Sequence, residues 1–209
     1  MIFNKHSELE GKHALLGASK YQWLNYDNDK LFEAMRRQWA TPMGTALHEL
    51  ASQLIKHKMK ITKSDKKVIL LHLLESGIPR FAIDIDFIFE NFQAFVNDAI
   101  GFGMSSEVVL YYSDHCFGTA DTIAFRNNTL RIHDYKSGTT PARMEQLLIY
   151  AALFCLEYKI KPGDIQMELR IYQLNEVLIL NPTPEDIVPI MDQIITKNKF
   201  IDSIRAGEV

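Results

Sequence analysis

The chain has 209 residues, 47% of them apolar and 23% charged, with a net charge of -3 from 23 Lys+Arg against 26 Asp+Glu. That length suits one substantial core with room for a helical annex. The charge balance gives no global pull toward an anionic polymer or a membrane, so any nucleic-acid contact must rest on a local patch. Two cysteines, Cys116 and Cys155, exclude a disulfide scaffold, a four-cysteine zinc site and a four-cysteine iron–sulfur cluster, and they fit a reducing compartment. No apolar stretch of signal-peptide length opens the sequence, and no run reaches the roughly 18 apolar residues of a membrane span. The expectation is therefore a soluble cytoplasmic protein that makes no membrane contact.

In chain order, apolar residues recurring at three and four predict helices near 19–25, 28–38, 42–58, 65–75 and 82–100, with a break at Gly77 and Pro79. From Ser105 to Lys136 the pattern turns β-branched and aromatic. Strands are predicted over 107–112, 117–125 and 129–136, as a three-strand antiparallel meander. A helix over 142–158 follows Pro141, then a strand over 165–173, a short strand over 177–180, and a last helix opened by Pro184-Glu185-Asp186. No repeat or linker divides the chain, which reads as one α/β domain. Residues up to about 104 form a helical cap and first core helix, and about 105–209 form the core and C-terminal helix.

The chemistry concentrates in Gly118-Thr119-Ala120-Asp121 and His133-Asp134-Tyr135-Lys136-Ser137-Gly138. A two-residue turn at Asn127-Asn128 sets Asp121 directly opposite Asp134, with Lys136 two residues on and so on the same face. That face continues as Ile123, Phe125, Leu130 and Ile132, an apolar surface suited to packing under a helix. Facing carboxylates repel and need a cation between them. A divalent metal with oxygen ligands answers that need, as does, more simply, a Lys136 ion pair at a solvated strand end. Glu107 on the preceding strand adds a third carboxylate, and Gly138 lets the chain turn sharply into the next helix. Gly44 and His48 lie four apart on one helix, the glycine clearing space on the face that presents the imidazole. Gln146 and Tyr150 share a face of another.

Taken together, Gly44-x-x-x-His48, Glu107, Gly118-x-x-Asp121, Asp134-x-Lys136 and Gln146-x-x-x-Tyr150 resemble the PD-(D/E)XK nuclease superfamily in its RecB-type exonuclease branch, which includes phage recombination exonucleases and CRISPR-adaptation nucleases. The resemblance covers roughly residues 19–173 and implies a restriction-endonuclease-like core: the antiparallel meander, a crossover helix and a further strand, under a helical cap. It implies a metal held by His48, Asp121, Asp134 and the carbonyl of Tyr135. It also implies a Lys136 that orients or helps deprotonate the attacking water, with Gln146 and Tyr150 positioning the scissile phosphate or bracing the lysine. Ala120 stands where the superfamily name has proline. The cluster cysteines of several relatives are missing, so no iron–sulfur cluster is expected.

The resemblance thus implies a Mg²⁺-dependent exonuclease, with Mn²⁺ substituting, acting on DNA with free ends in recombination, repair or phage DNA metabolism. A recombination or single-strand-binding protein is a candidate partner, and the host cytoplasm the location if the chain is phage-encoded. Phosphodiester hydrolysis needs an activated water and relief of charge on a pentavalent phosphate, which Mg²⁺ in hard oxygen ligands supplies. For substrate contact, Lys56, Lys58, Lys60, Lys63, Lys66 and Lys67 form the densest basic stretch, expected as a roof over the metal or else a solvated face. Arg36, Arg37 and Trp39 add phosphate contacts and a stacking ring, unless Trp39 is core. A structure-specific or nicking endonuclease of the same fold, and a catalytically silent DNA-binding module, are the alternatives.

Overall fold

A computed structural model describes residues 3–207. Helix α1 (Asn28–Arg37) opens where the Asp27 side chain accepts the Lys30 N–H at 2.8 Å, and it closes with Arg36 and Arg37 in its last turn, a distribution the helix dipole favours at both ends. Helix α2 (Ala40–Lys56) follows. Next, a capping box between Thr62 and Asp65 leads into α3 (Lys66–Glu75), and Asp84 caps α4 (Ile85–Gly101) by accepting the Phe87 N–H. The helix expected over 19–25 is instead a 3₁₀ segment, Ala18–Asn25. Gly17 supplies no capping side chain and Lys20 leaves helical geometry (φ -114, ψ 54), so the segment is held from within by the Trp23 indole donating to the Gly17 carbonyl at 3.0 Å.

The strands are β1 (Ser105–Ser113), β2 (Cys116–Arg126), β3 (Thr129–Tyr135), β4 (Gln166–Gln173) and β5 (Glu176–Leu180), with α5 (Glu145–Glu157) between β3 and β4, and α6 (Pro184–Ala206) last. They form one five-stranded sheet in sequence order. The β1–β2, β2–β3 and β4–β5 pairs are antiparallel and the β3–β4 pair is parallel, so α5 is the crossover between parallel neighbours. The fold is thus α/β with a mixed sheet. Asn127 (φ 50) and Asn128 (φ 59) both take the left-handed conformation of a type I′ hairpin, and the pairs Thr122↔His133 through Arg126↔Thr129 keep the register that this turn dictates. One layer, built on α2, α3 and α4, packs Phe92 and Phe95 against Tyr135 and Tyr172. The other, built on α5 and α6, packs Leu147, Ala151 and Ile187 against Leu130, Ile132, Leu169 and Ile171.

The alternation of β2 breaks at Asp121. Ile123 and Phe125 pack toward α5, the latter with its ring 5.3 Å from that of Phe154, yet Gly118 and Ala120, of the other parity, also face that layer. Glu107, which the register sets opposite Asp121 between the pairs Ser106↔Thr122 and Val108↔Ala120, has φ 53. A left-handed glutamate inside a strand is strained backbone, of the kind that clusters at functional sites. The consequence is that Asp121 sits where the strand changes face, open to α2 on one side and α5 on the other.

Helix α5 begins at Glu145, three residues later than expected. The buried Gln173 explains the delay: its amide donates to the carbonyls of Gly138 and Thr140 at 2.7 and 2.8 Å, and its carbonyl accepts the Ala142 N–H at 2.8 Å. Those three bonds fix the bend at Gly138-Thr139-Thr140 and the residues after it against the end of β4. The chain does bend at Gly138, as expected, but the bend does not require glycine, since its φ lies outside the left-handed region and a Cβ there would meet nothing within 4 Å.

Candidate metal centre

Three carboxylates lie in a row across neighbouring strands: Glu107 on β1, Asp121 on β2 and Asp134 on β3. Asp121 Oδ2 accepts the Tyr135 N–H at 2.9 Å and lies 3.4 Å from His48 Nδ1, which α2 presents from the other layer. One ligand atom each from His48, Glu107 and Asp121 falls within 4.8 Å of the others. Asp134 is 1% exposed; Lys136 Nζ donates to its Oδ1 at 3.0 Å and lies 2.9 Å from its Oδ2, so the ammonium pairs with both oxygens. Lys136 also donates to Gln146 Oε1 at 3.1 Å, and Gln146 Nε2 donates to the Tyr150 hydroxyl at 3.0 Å. A continuous chain therefore runs from α5 through the lysine to the deepest acid.

Burial pushes the Asp121 carboxyl up to about 6, against the pull of the Tyr135 N–H and Lys136. Burial, then the neighbouring Asp121 charge, does the same to Asp134. Burial lowers His48, outweighing the acids around it, so near neutral pH the imidazole is uncharged and offers a lone pair. The hard oxygens of Glu107, Asp121 and the buried Asp134, with one imidazole nitrogen, make a donor set that fits a divalent cation of the Mg²⁺ or Mn²⁺ kind. A cleft of about 400 Å³ opens onto them, lined by Thr45, His48, Glu49, Glu107 and Asp121. Thr45 and Glu49 lie four apart on α2 and were not singled out by the sequence. That spacing is their only signal, and most surface helices carry such pairs.

Gly118 has a clear physical role. A Cβ at this position would lie 2.8 Å from the Tyr150 ring, so the glycine lets Tyr150 reach its place beside Gln146. Gly118→Ala is expected to cost about 1–3 kcal/mol by overpacking and to leave metal affinity unchanged; a denaturation curve and a metal titration on the same variant check both. Gly44 is less constrained, because a Cβ there would make only ordinary contact, 3.5 Å, with Ser137 Oγ.

The remaining expected contacts separate. Lys56 is eight residues beyond His48, about 12 Å along the helix axis, and none of Lys56, Lys58, Lys60, Lys63, Lys66 and Lys67 lines the carboxylate cleft. The stretch wraps the far end of α2, where Asn97 and Gln93 tie Ile61 to α4, and Lys66 pairs with Asp86. It does not form the expected roof. Trp39 packs against the core under α2 rather than presenting a stacking ring. Arg36 and Arg37 line a separate groove with Glu33, Asp84, Ser137, Gly138 and Thr139; none of the carboxylates of the centre lines it, and Ser137 is the residue after Lys136.

Fold and site together define an α/β protein with a carboxylate-rich candidate metal centre between its two helical layers. Over residues 13–174 the chain matches the family described as "Protein of unknown function (DUF2800)", and it belongs to that family. The matched span includes every residue of the centre. No curated protein and no solved structure matches the chain. Among the described residues no helix is long and apolar enough to cross a membrane.

Proposed function

We propose that this chain is a Mg²⁺-dependent nuclease with a restriction-endonuclease-like core, acting as an exonuclease on DNA ends. The observation that carries the reading is the row Glu107, Asp121, Asp134 on three adjacent strands, with Lys136 held against the last of them. A merely structural ion pair would need one acid, and three in a row, two of them raised to about 6, cost stability without a further cation. Asp121, Asp134, Glu107 and His48 would hold the ion. When bound, it polarises the phosphoryl oxygen and acidifies a water.

The chain's own groups do the rest. Lys136, fixed by Asp134 and Gln146, holds its ammonium where charge builds on the phosphate, and Tyr150 braces Gln146 from behind. Neutral His48 completes the ligand set without adding charge. His48→Ala is expected to weaken metal binding by roughly 10–100-fold, with cleavage partly recovered at high Mn²⁺. Unchanged metal dependence would make His48 a packing residue.

End-labelled linear DNA and covalently closed circles, each with Mg²⁺ or EDTA, test the function. The expected result is digestion of the linear substrate alone, abolished by EDTA. Efficient cutting of circles would favour an endonuclease of the same fold, a reading encouraged by the placement of the lysine stretch away from the carboxylates. Binding without cleavage under any divalent ion would leave a silent DNA-binding module.

A further inference from the structure

The segment before α1 builds a second surface that the carboxylate chemistry does not use. Trp23, Tyr26, Lys20, His13, Arg37 and Gln38 line a cavity of about 420 Å³. Trp23 is half-buried, its indole anchored on Gly17, while Tyr26 is 42% exposed. The cationic lining has one notable member: Arg36 pairs with Glu33 at 3.6 Å, whereas Arg37 has no ion-pair partner among the described residues. Arg37 also lines the neighbouring groove, which runs past the paired Arg36 and Glu33 and past Asp84 to Ser137, Gly138 and Thr139, the residues that follow Lys136. A path thus leads from an aromatic, basic pocket to the edge of the metal centre, with Arg37 at the junction.

We infer that this pocket takes an unpaired nucleotide of a single DNA strand, its base against Trp23 and Tyr26 and its phosphate on Arg37, while the strand continues past Ser137 toward the carboxylates. The complementarity lies in the pocket itself, where Lys20 and Arg37 stand beside the two rings. A nucleobase presents a flat π-face and a backbone charge to two rings and free cations, and stacking tolerates any base. Duplex DNA offers no free face, so the pocket selects unpaired strand. The inference deepens the nuclease reading and rests on it only for the strand's destination, because the pocket itself contains none of the carboxylate residues. With a net charge of -3 on the whole chain, this local cationic lining is what a strand would have to meet.

The test uses the full chain in EDTA, so that binding is read without cleavage, with fluorescein-labelled dT12 and a blunt 12-base-pair duplex as probes. Arg37→Ala and Tyr26→Ala are each expected to weaken dT12 binding by about tenfold, the scale of one lost stack or phosphate contact, and to leave the duplex unaffected. Trp23→Ala risks unfolding the 3₁₀ segment. A Trp39→Phe variant, with Trp23 as its sole tryptophan, is therefore titrated with dT12, and quenching of its fluorescence is expected. Wild-type affinity for dT12 in both variants, unquenched Trp23, or equal losses on duplex would overturn the inference. The two readings fail separately. Quenching of Trp23 by dT12 in the Trp39→Phe variant, beside a wild-type protein that cleaves nothing, would sink the nuclease and keep the pocket. A wild-type protein that digests linear DNA while Arg37→Ala and Tyr26→Ala bind dT12 normally would do the reverse.

Discussion

Asp121→Asn is expected to raise the melting temperature of the metal-free protein at pH 7.5 while removing metal-dependent cleavage. Asp121 stands between Glu107 and Asp134 with its carboxyl raised to about 6, so in the folded state the ionised form is disfavoured relative to an unfolded chain, where it titrates near 3.8. A carboxyl raised in this way costs stability that is absent below the unfolded value, grows as pH climbs between the two, and is full above about 6. Asparagine removes that cost, and its side-chain carbonyl can still accept the Tyr135 N–H. The gain at pH 7.5 is about 1–3 kcal/mol, or roughly 2–4 °C for each kcal/mol in a chain of this size, and it vanishes near pH 4. Cleavage should fall more than about 100-fold, since even indirect supports of a bound metal cost 10–100-fold. Melts across pH 4–8 in EDTA, with cleavage assays in Mg²⁺, read both signs, and a destabilised variant at pH 7.5 would contradict the strain assigned to the carboxylate row.

Lys136→Met should produce the opposite pair of effects. The ammonium within 3.0 Å of Asp134 and 3.1 Å of Gln146 is the acid's one cationic contact, so its loss leaves a buried carboxylate unpaired. The metal-free variant is expected to lose about 1–3 kcal/mol at pH 8 and to recover toward pH 5 as Asp134 takes up a proton. Metal affinity should hold or rise, because a competing cation has gone. Turnover should drop by about 10²–10³-fold, the scale of a lost electrostatic stabiliser. Denaturation at the two pH values and a metal titration separate these effects, and a variant that loses metal binding would make Lys136 a prop for the ligands instead.

The hairpin that carries the site was legible because its turn is chemically specific. Asn127-Asn128 tolerates the positive φ that a type I′ turn requires, and that turn alone fixes which residues face each other. The α5 pair was legible for a similar local reason, Gln146 and Tyr150 being one turn apart and bonded at 3.0 Å. What failed depended on distant partners. The lysine stretch is dense in sequence but lies around the far end of α2, since nearness in the chain says nothing about which end of a helix a loop caps. Trp39 went to the core and Trp23 to a groove because each is placed by its neighbours in space, and no periodicity distinguishes them. The strand reversal at Asp121 had no sequence signal, since a left-handed glutamate at Glu107 is a conformation imposed by packing against its own propensity. The late start of α5 likewise needed Gln173, contributed from β4, 31 residues beyond Ala142.

The most direct measurement is a titration of the metal-free protein with Mn²⁺, followed by electron paramagnetic resonance, in wild type and Asp134→Asn. Asp134 is the deepest of the three acids, paired with Lys136 alone, and burial and Asp121 hold its carboxyl high. If the carboxylate row is a metal centre, wild type binds saturably, binding strengthens as pH rises through 6, and Asp134→Asn weakens it at least about tenfold. Equal binding by the two proteins, or none by wild type at pH 8, would contradict the account.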